Sequence, residues 1–201
     1  MNLRDEIRGE KVRAPSRKHR ERETGVQLIE FALVLPFLLV MLVGIIDFGL
    51  AWATKDKLAD AARDGARVAV AEFNDTTNPS PSCGGTTPCS VQAAANTVVG
   101  SLNSSNVNTC SLTDASTLAL STETFTWTFS NASCLNPYTI KVERAVPLTV
   151  DGITALCTRV TVDYGYDLNL FHNVDPLLNL GSNLFSNTIT LDSAATMTNS
   201  N

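Results

Sequence analysis

The chain has 201 residues, 44% of them hydrophobic, and a formal net charge of −5. That size suits one membrane helix and one modest domain with a core, and it excludes a second large domain. Residues 1–25 hold eight basic and five acidic groups, whereas the remainder holds 7 basic and 15 acidic groups, so the acidic remainder argues against binding to nucleic acid.

Residues 1–25 form a polar head that is poor in hydrophobic residues, a composition that predicts disorder. Its tightest basic run is Arg17-Lys-His-Arg20, but acidic residues interleave the head and no nucleic-acid partner is needed to explain it. Basic residues beside a membrane segment stay on the cytoplasmic side. We therefore interpret the head as a cytoplasmic leader, with the C-terminal domain outside the cytoplasm.

An apolar run begins at Phe31, carries no charge through Ile46, and has only Asp47 as an interruption before Ala53. A helix from Phe31 to Ala53 would be roughly 34 Å long, enough to cross the hydrocarbon core of a bilayer. The run predicts a transmembrane helix over residues 26–53. Pro36 should kink this helix or open one backbone hydrogen bond, which neighbouring helices can compensate.

Glu30 stands directly before the apolar run. An unpaired carboxylate at bilayer depth costs on the order of 3 kcal/mol, so Glu30 should lie at the interface or have a partner. A cut after Gly25 would create a positive α-amino group on Val26. In a bundle of like helices, that amine could pair with Glu30 of a neighbour.

Gly25, four intervening residues and Glu30-Phe31 resemble the processing site of type IV prepilins, which a dedicated membrane peptidase cuts after the glycine. The continuation EFALVLPFLLVMLVGIIDFGLAW, followed by LADAARDGARVAVAE, resembles the TadE-like pseudopilins of the tight-adherence (Flp) pilus system. A C-terminal strand of the type Val160–Tyr164 adds a weaker similarity.

The resemblance implies a processing site formed by Gly25, Val26, Glu30 and Phe31, with Glu30 as the assembly contact. It also implies a single-pass protein of the bacterial cytoplasmic membrane with an extracytoplasmic domain, incorporated in the pilus or acting at its base. The implied partners are the prepilin peptidase, other pilins or pseudopilins, and the assembly platform. A minor pseudopilin is implied more than a major subunit, because major Flp pilins lack a sizeable globular domain.

Two other hypotheses stay open at this point. Ala51-Trp-Ala53 follows the apolar run and is A-x-A-like, so signal peptidase could release a secreted binding domain near Ala53. The apolar run is longer than the usual 7 to 15 residues of a signal peptide, and Asp47 lies within the approach to the cut. The third hypothesis is an uncut, single-pass membrane anchor that holds an extracytoplasmic domain.

Residues 54–73 continue the helical pattern, with apolar or small residues spaced at three and four and charges on the other face. We expect an amphipathic extension of the membrane helix. Small residues let helices approach closely, and the stripe could pack against the chain's own domain or against other subunits. The small residues in question are Gly44, Gly49, Ala51, Ala53, Ala61, Ala62, Gly65 and Ala66.

Residues 74–201 predict a small extracytoplasmic α+β domain. A turn-rich connector over residues 74–88 precedes a short helix from Ser90, as N-cap, to Gly100 near the C-cap. Period-two alternation then predicts a three- to four-stranded antiparallel sheet with aromatic side chains in the core. The candidate strands are Glu123–Ser130, Tyr138–Val146, Leu156–Tyr166 and Asn187–Met197; the expected inward residues are Phe125, Trp127, Phe129, Leu156, Val160, Val162 and Tyr164.

All five cysteines lie after the membrane segment, at Cys83, Cys89, Cys110, Cys134 and Cys157. This placement is typical of a domain that is cross-linked by disulfides in an oxidising compartment. The favoured pair is Cys83 with Cys89, because CGGTTPC can close a small loop, and Cys110 with Cys134 is the second candidate. No C-x2-C spacing occurs and the chain has two histidines, so we expect no metal site.

Residues typical of catalysis are sparse in the exported domain. His172 has Asp163, Asp167 and Asp175 near it in sequence, but no G-x-S-x-G or comparable nucleophile motif accompanies them. We therefore expect a structural protein without enzymatic activity and without a cofactor.

Overall fold

The computed structural model describes residues 20–71, 87–112, 114–123, 125–132, 134, 136–168 and 188–199, with side chains from residue 25 onward. The chain divides into two compact units, Met1–Leu42 and Val43–Asn201. Helix α1 spans Arg20–Ala71 and continues through Pro36. The other elements are α2 (Cys89–Ser104), a 3-10 turn (Ala115–Thr117), and strands β1 (Ala119–Glu123), β2 (Thr126–Asn131), β3 (Tyr138–Val150), β4 (Ile153–Asp167) and β5 (Thr188–Thr198).

Within Val43–Asn201, α1 presents one stripe of buried side chains to the domain. The stripe recurs every three or four residues, as one face of a helix requires. The opposite face carries exposed ion pairs, such as Arg63–Asp60 at 2.9 Å, that contribute little to stability. The amphipathic pattern expected of residues 54–73 is present as far as Ala71. The buried members are Asp47, Ala51, Leu58, Ala61, Ala62, Gly65, Ala66 and Ala69.

Gly65 marks the closest approach of α1 to α2. A Cβ added at Gly65 would lie 2.5 Å from Val98 Cγ2 and 3.3 Å from the Ala94 carbonyl oxygen. Any side chain at this position would therefore collide with α2. The small-residue stripe of residues 61–66 packs against the chain's own domain, one of the two arrangements the sequence left open.

Helix α2 buries the face that its sequence predicts, since Val91, Ala94, Ala95, Val98 and Leu102 are all fully buried. Its predicted ends were wrong. The N-cap is Pro88, so Ser90 lies in the first turn, and Gly100 lies inside a helix whose C-cap is Ser105. Ser90 is instead buried with its hydroxyl against a core arginine.

The sheet is antiparallel with strand order β1-β2-β3-β4-β5, so the α+β class is confirmed, with five strands rather than three to four. The additional strand is β1, an edge strand whose five residues are all exposed. One sheet face forms the core against the two helices. Its buried residues are Trp127, Phe129, Tyr138, Ile140, Val142, Val160, Val162 and Tyr164.

Two of the expected inward residues lie outside the core. Phe125 has φ +58° at the turn between β1 and β2 and is 46% exposed. Leu156 is 52% exposed because the β3–β4 hairpin continues beyond the sheet. Strand β2 pairs with β3 only as far as Glu143, and β5 pairs with β4 only from Cys157. Among the described residues, no strand therefore lies beside the end of the hairpin.

A β-bulge in β3 places a charged residue in the core. The register with β4 shifts between Glu143 and Val146, where Ala145 has φ +56°. Arg144 is only 3% exposed, and its Nη2 donates to the Ala69 carbonyl oxygen at 2.8 Å and to Ser90 Oγ. Because Ala69 is in the last turn of α1, Arg144 satisfies a helix-end carbonyl and joins both helices to the sheet.

The structure confirms the disulfide between Cys110 and Cys134, whose Cα atoms are 5.9 Å apart. Cys89 is also disulfide-bonded, and its predicted partner Cys83 lies outside the described residues. Cys157 is a buried free thiol on β4. Among the described cysteines, Cys157 is therefore the one outside a disulfide.

Candidate processing and membrane-anchoring helix

By length and composition, Gly25–Ala71 is the one helical segment in the described residues that could cross a membrane. Its N-terminal part exposes a long series of large apolar side chains. Such a surface is far larger than the apolar patches that proteins usually leave in water, so lipid or other helices must cover it. The exposed series comprises Val26, Leu28, Ile29, Phe31, Leu33, Val34, Leu35, Phe37, Leu38, Leu39, Met41, Leu42, Ile45, Ile46, Phe48, Leu50 and Trp52.

The four predicted processing residues lie together at the start of this surface. The bond between Gly25 and Val26 is inside α1, and the space around the Gly25 Cα is open. Val26 and Phe31 are 57% and 63% exposed. Glu30 is also exposed, one helical turn after Val26, and within the described residues it forms no ion pair.

Asp47, which interrupts the apolar sequence, is not on the exposed side of the helix. It is 2% exposed and belongs to the stripe that faces the domain. Burial raises the pKa of the Tyr166 phenol above its usual 10.0, and the nearby Asp47 carboxylate raises it further. The Asp47 carboxylate therefore lies near the C-terminal end of β4.

A polar cavity of about 330 Å³ lies between α1, the loop after α2 and the end of β4. Helix α1 contributes Thr54 and Lys57 to its wall. The facing walls include Asn108, Tyr164, Tyr166 and Asp167. Burial raises the pKa of the Tyr164 phenol, with a smaller rise caused by Asp167, so both tyrosines remain neutral hydrogen-bonding groups at neutral pH.

Several other sequence candidates lie outside the part of the chain that the structure describes. His172 and Asp175 lie outside the described residues, as does Cys83. Among the residues that the structure describes, no group of three His, Cys, Asp or Glu side chains could hold a metal ion. The alternative cut near Ala53 falls inside α1, between the buried residues Ala51 and Leu58.

Sequence reasoning missed the cavity and the position of Asp47. The signal for Asp47 was present, because it precedes Ala51 by four residues and so falls on the line that continues to Leu58. The cavity had no comparable signal, since its walls come from three separate parts of the chain.

Comparison with known proteins supports the N-terminal resemblance. Residues 25–67 match the family model described as TadE-like protein. The match confirms the resemblance for these 43 of the 201 residues, which include Gly25, Glu30 and all of the stripe that faces the domain except Ala69. No curated protein and no solved structure gives a significant match.

Proposed function

We propose that this chain, whose residues 25–67 carry the TadE-like segment, is a pilin-like structural protein of a tight-adherence (Flp) pilus system. It is anchored in the bacterial cytoplasmic membrane by α1, with the basic leader inside and the α+β domain outside. The observation that carries the proposal is that one matched segment contains both the Gly25 processing pattern and the exposed apolar surface of α1.

Processing is proposed at the bond between Gly25 and Val26. A glycine inside a helix costs about 1 kcal/mol relative to alanine, so the helix opens more readily here than at its neighbours. The open space around Gly25 leaves the bond accessible from the side. The chemistry belongs to a prepilin peptidase, and this chain supplies the substrate bond.

Assembly is proposed to use Glu30 and the new N-terminus. After processing, Val26 carries a positive amine one turn from Glu30, and the carboxylate of a neighbouring subunit can neutralise it. The exposed side chains between Val26 and Trp52 then pack against the helices of other subunits or of the assembly platform. The sizeable domain supports the role of a minor pseudopilin, and we propose no enzymatic activity.

Release near Ala53 is the weaker alternative. Such a cut would remove Asp47 and Ala51, which are buried against the domain, and would leave Tyr166 without its neighbour. Retention of the helix, cut after Gly25 or uncut, keeps these contacts. The structure of the second unit therefore supports an anchored protein over a released domain.

Processing is tested with Gly25→Leu in cells that make the pilus. The precursor should accumulate at full length, 25 residues longer than the mature form. Gly49→Leu is the matched control, because Gly49 is also an α1 glycine with open space around it. The control should be processed normally; processing of the Gly25 variant at the normal rate would contradict the proposed cut site.

Assembly is tested with Glu30→Ala, which should be inserted and processed but fail to support normal pili. Asp56→Asn is the control, since it removes an exposed carboxylate from α1 beyond the apolar surface. Normal pili from both the Gly25 and the Glu30 variants would overturn the assignment.

A further inference from the structure

The exposed face of α1 indicates where the second unit meets the membrane surface. Large apolar side chains continue on this face as far as Trp52, which is 62% exposed, and charges begin at the exposed Lys55 and Asp56. Tryptophan prefers the boundary between hydrocarbon and headgroups. The level of Trp52 therefore marks the hydrocarbon boundary for this anchored helix.

The part of the cavity wall that α1 supplies begins just after Trp52. Thr54 and Lys57 follow Trp52 by two and five residues, which places them roughly 3 and 7.5 Å farther along the helix axis. The headgroup layer on each side of a bilayer is of the same order, about 5–8 Å thick. The α1 wall of the cavity therefore falls at the depth expected for lipid headgroups.

Two opposite charges face this cavity from different elements. Lys57 on α1 and Asp167 at the end of β4 both line it, and they form no ion pair with each other. The Asp167 carboxylate accepts a hydrogen bond from Thr188 Oγ1 at 2.8 Å, which fixes its position. A small cavity with a separated positive and negative group is complementary to a zwitterion.

The neutral polar groups complete the complementarity. Asn136 Nδ2 donates to the Gly165 carbonyl oxygen at 2.8 Å, a hydrogen bond that joins this part of the cavity wall to β4. A volume of about 330 Å³ is at the lower end of known ligand cavities, which suits a headgroup rather than a whole lipid.

We propose that this cavity binds the phosphoethanolamine headgroup of a membrane phospholipid, with the phosphate at Lys57 and the ammonium at Asp167. The acyl chains lie along the apolar face of α1 below Trp52. The bound lipid fixes the domain against the bilayer surface. This inference rests on membrane anchoring by α1 and does not depend on processing after Gly25.

The test uses the full-length protein, delipidated in detergent and titrated with phosphatidylethanolamine or phosphatidylglycerol, with bound lipids counted by native mass spectrometry. The wild type should bind one phosphatidylethanolamine more tightly than the others that coat the helix. Lys57→Gln should weaken binding of both lipids roughly tenfold or more. Lys55→Gln is the matched control, because Lys55 is exposed and outside the cavity, and it should change neither affinity.

Asp167→Asn gives the sharper result, because it removes only the partner of the ammonium group. It should weaken phosphatidylethanolamine by a similar factor and leave phosphatidylglycerol unchanged or tighter. Thermal unfolding of each variant verifies that the domain remains folded. Equal affinity of the wild type for the two lipids, or equal behaviour of Lys57→Gln and Lys55→Gln, would overturn the proposal.

Competition with soluble glycerophosphoethanolamine distinguishes a membrane lipid from a soluble zwitterion as the occupant of the cavity. The soluble compound should compete only at concentrations far above those of the lipid, because it lacks the acyl chains. Competition at equal concentration would show that the cavity takes a soluble ligand and would contradict a lipid as its occupant.

Discussion

The contact between α1 and α2 at Gly65 gives a quantitative prediction. In Gly65→Ala, the new Cβ would lie 2.5 Å from Val98 Cγ2, well inside the usual carbon–carbon contact distance of about 3.5–4.0 Å. Val98 is fully buried and β-branched, so its side chain has little freedom to rotate away. Overpacking of this kind costs about 1–3 kcal/mol.

The same substitution also removes a helix-breaking glycine, which gains about 1 kcal/mol. The net effect of Gly65→Ala should be a loss of about 0–2 kcal/mol in the free energy of unfolding. Gly100→Ala is the control, since Gly100 lies inside α2 with nothing within 4 Å of the added Cβ. It should gain about 1 kcal/mol, so the two variants should differ by about 1–3 kcal/mol.

The assay is thermal unfolding of the full-length protein in detergent, followed by circular dichroism. The melting temperature of Gly65→Ala should lie about 2–12 °C below that of Gly100→Ala. Val98→Ala in the Gly65→Ala background should recover part of the loss, because it removes the colliding methyl groups. Equal melting temperatures for the two glycine variants would refute the close helix contact.

Three further predictions concern the domain. Arg144→Met should lower the free energy of unfolding, measured by chemical denaturation, by about 1.5–3 kcal/mol, because it removes charged hydrogen bonds. The control is Arg159→Met on the outer sheet face, which should change the free energy of unfolding by less than about 0.5 kcal/mol. Burial raises the pKa of Asp163 above its usual 3.8, and the directly opposite Asp192 raises it further. Ionisation of Asp163 therefore destabilises the folded state as the pH rises from 3.8 through the raised pKa. Asp192→Asn should raise the free energy of unfolding by about 0.2–1 kcal/mol at pH 7, and this gain should disappear below about pH 3.8. Denatured but unreduced protein should accept one alkyl group, at Cys157, and acceptance of five would contradict both disulfides.

Regular periodicity made much of the fold predictable from sequence. The alternation of Trp127 with Phe129, and of Val160 with Val162, identified the core face of the sheet, because period two leaves no other arrangement for a half-buried strand. The spacing of Val91 and Val98 identified the buried face of α2 in the same way. The extent of each element was less well predicted.

The misses have local physical causes. Strand β1 buries no side chain, so its sequence carries no alternation to detect. Phe125 follows the aromatic pattern of β2 but lies in the tight turn, where a positive φ takes it off the core face. Arg144 reaches the core only because a bulge and two separate helix ends meet there, an arrangement that local sequence does not encode.

The processing site stays a prediction, made from residues that are close in sequence. Gly25, Val26, Glu30 and Phe31 form a local motif on one helix, and the family match covers all four. The cavity could not be predicted, because Lys57 and Asp167 are brought together only by the packing of α1 on β4. Asp47 is an intermediate case, since its helical spacing was visible in the sequence but its proximity to Tyr166 was not.

The N-terminal residue of the protein recovered from native membranes tests the central claim most directly. Terminal sequencing or intact mass should find a chain that starts at Val26, which would establish processing after Gly25. A start at Thr54 would mean a released domain, and an intact Met1 would leave an uncut anchor. Either of these two results would contradict the account of a processed pilin-like protein.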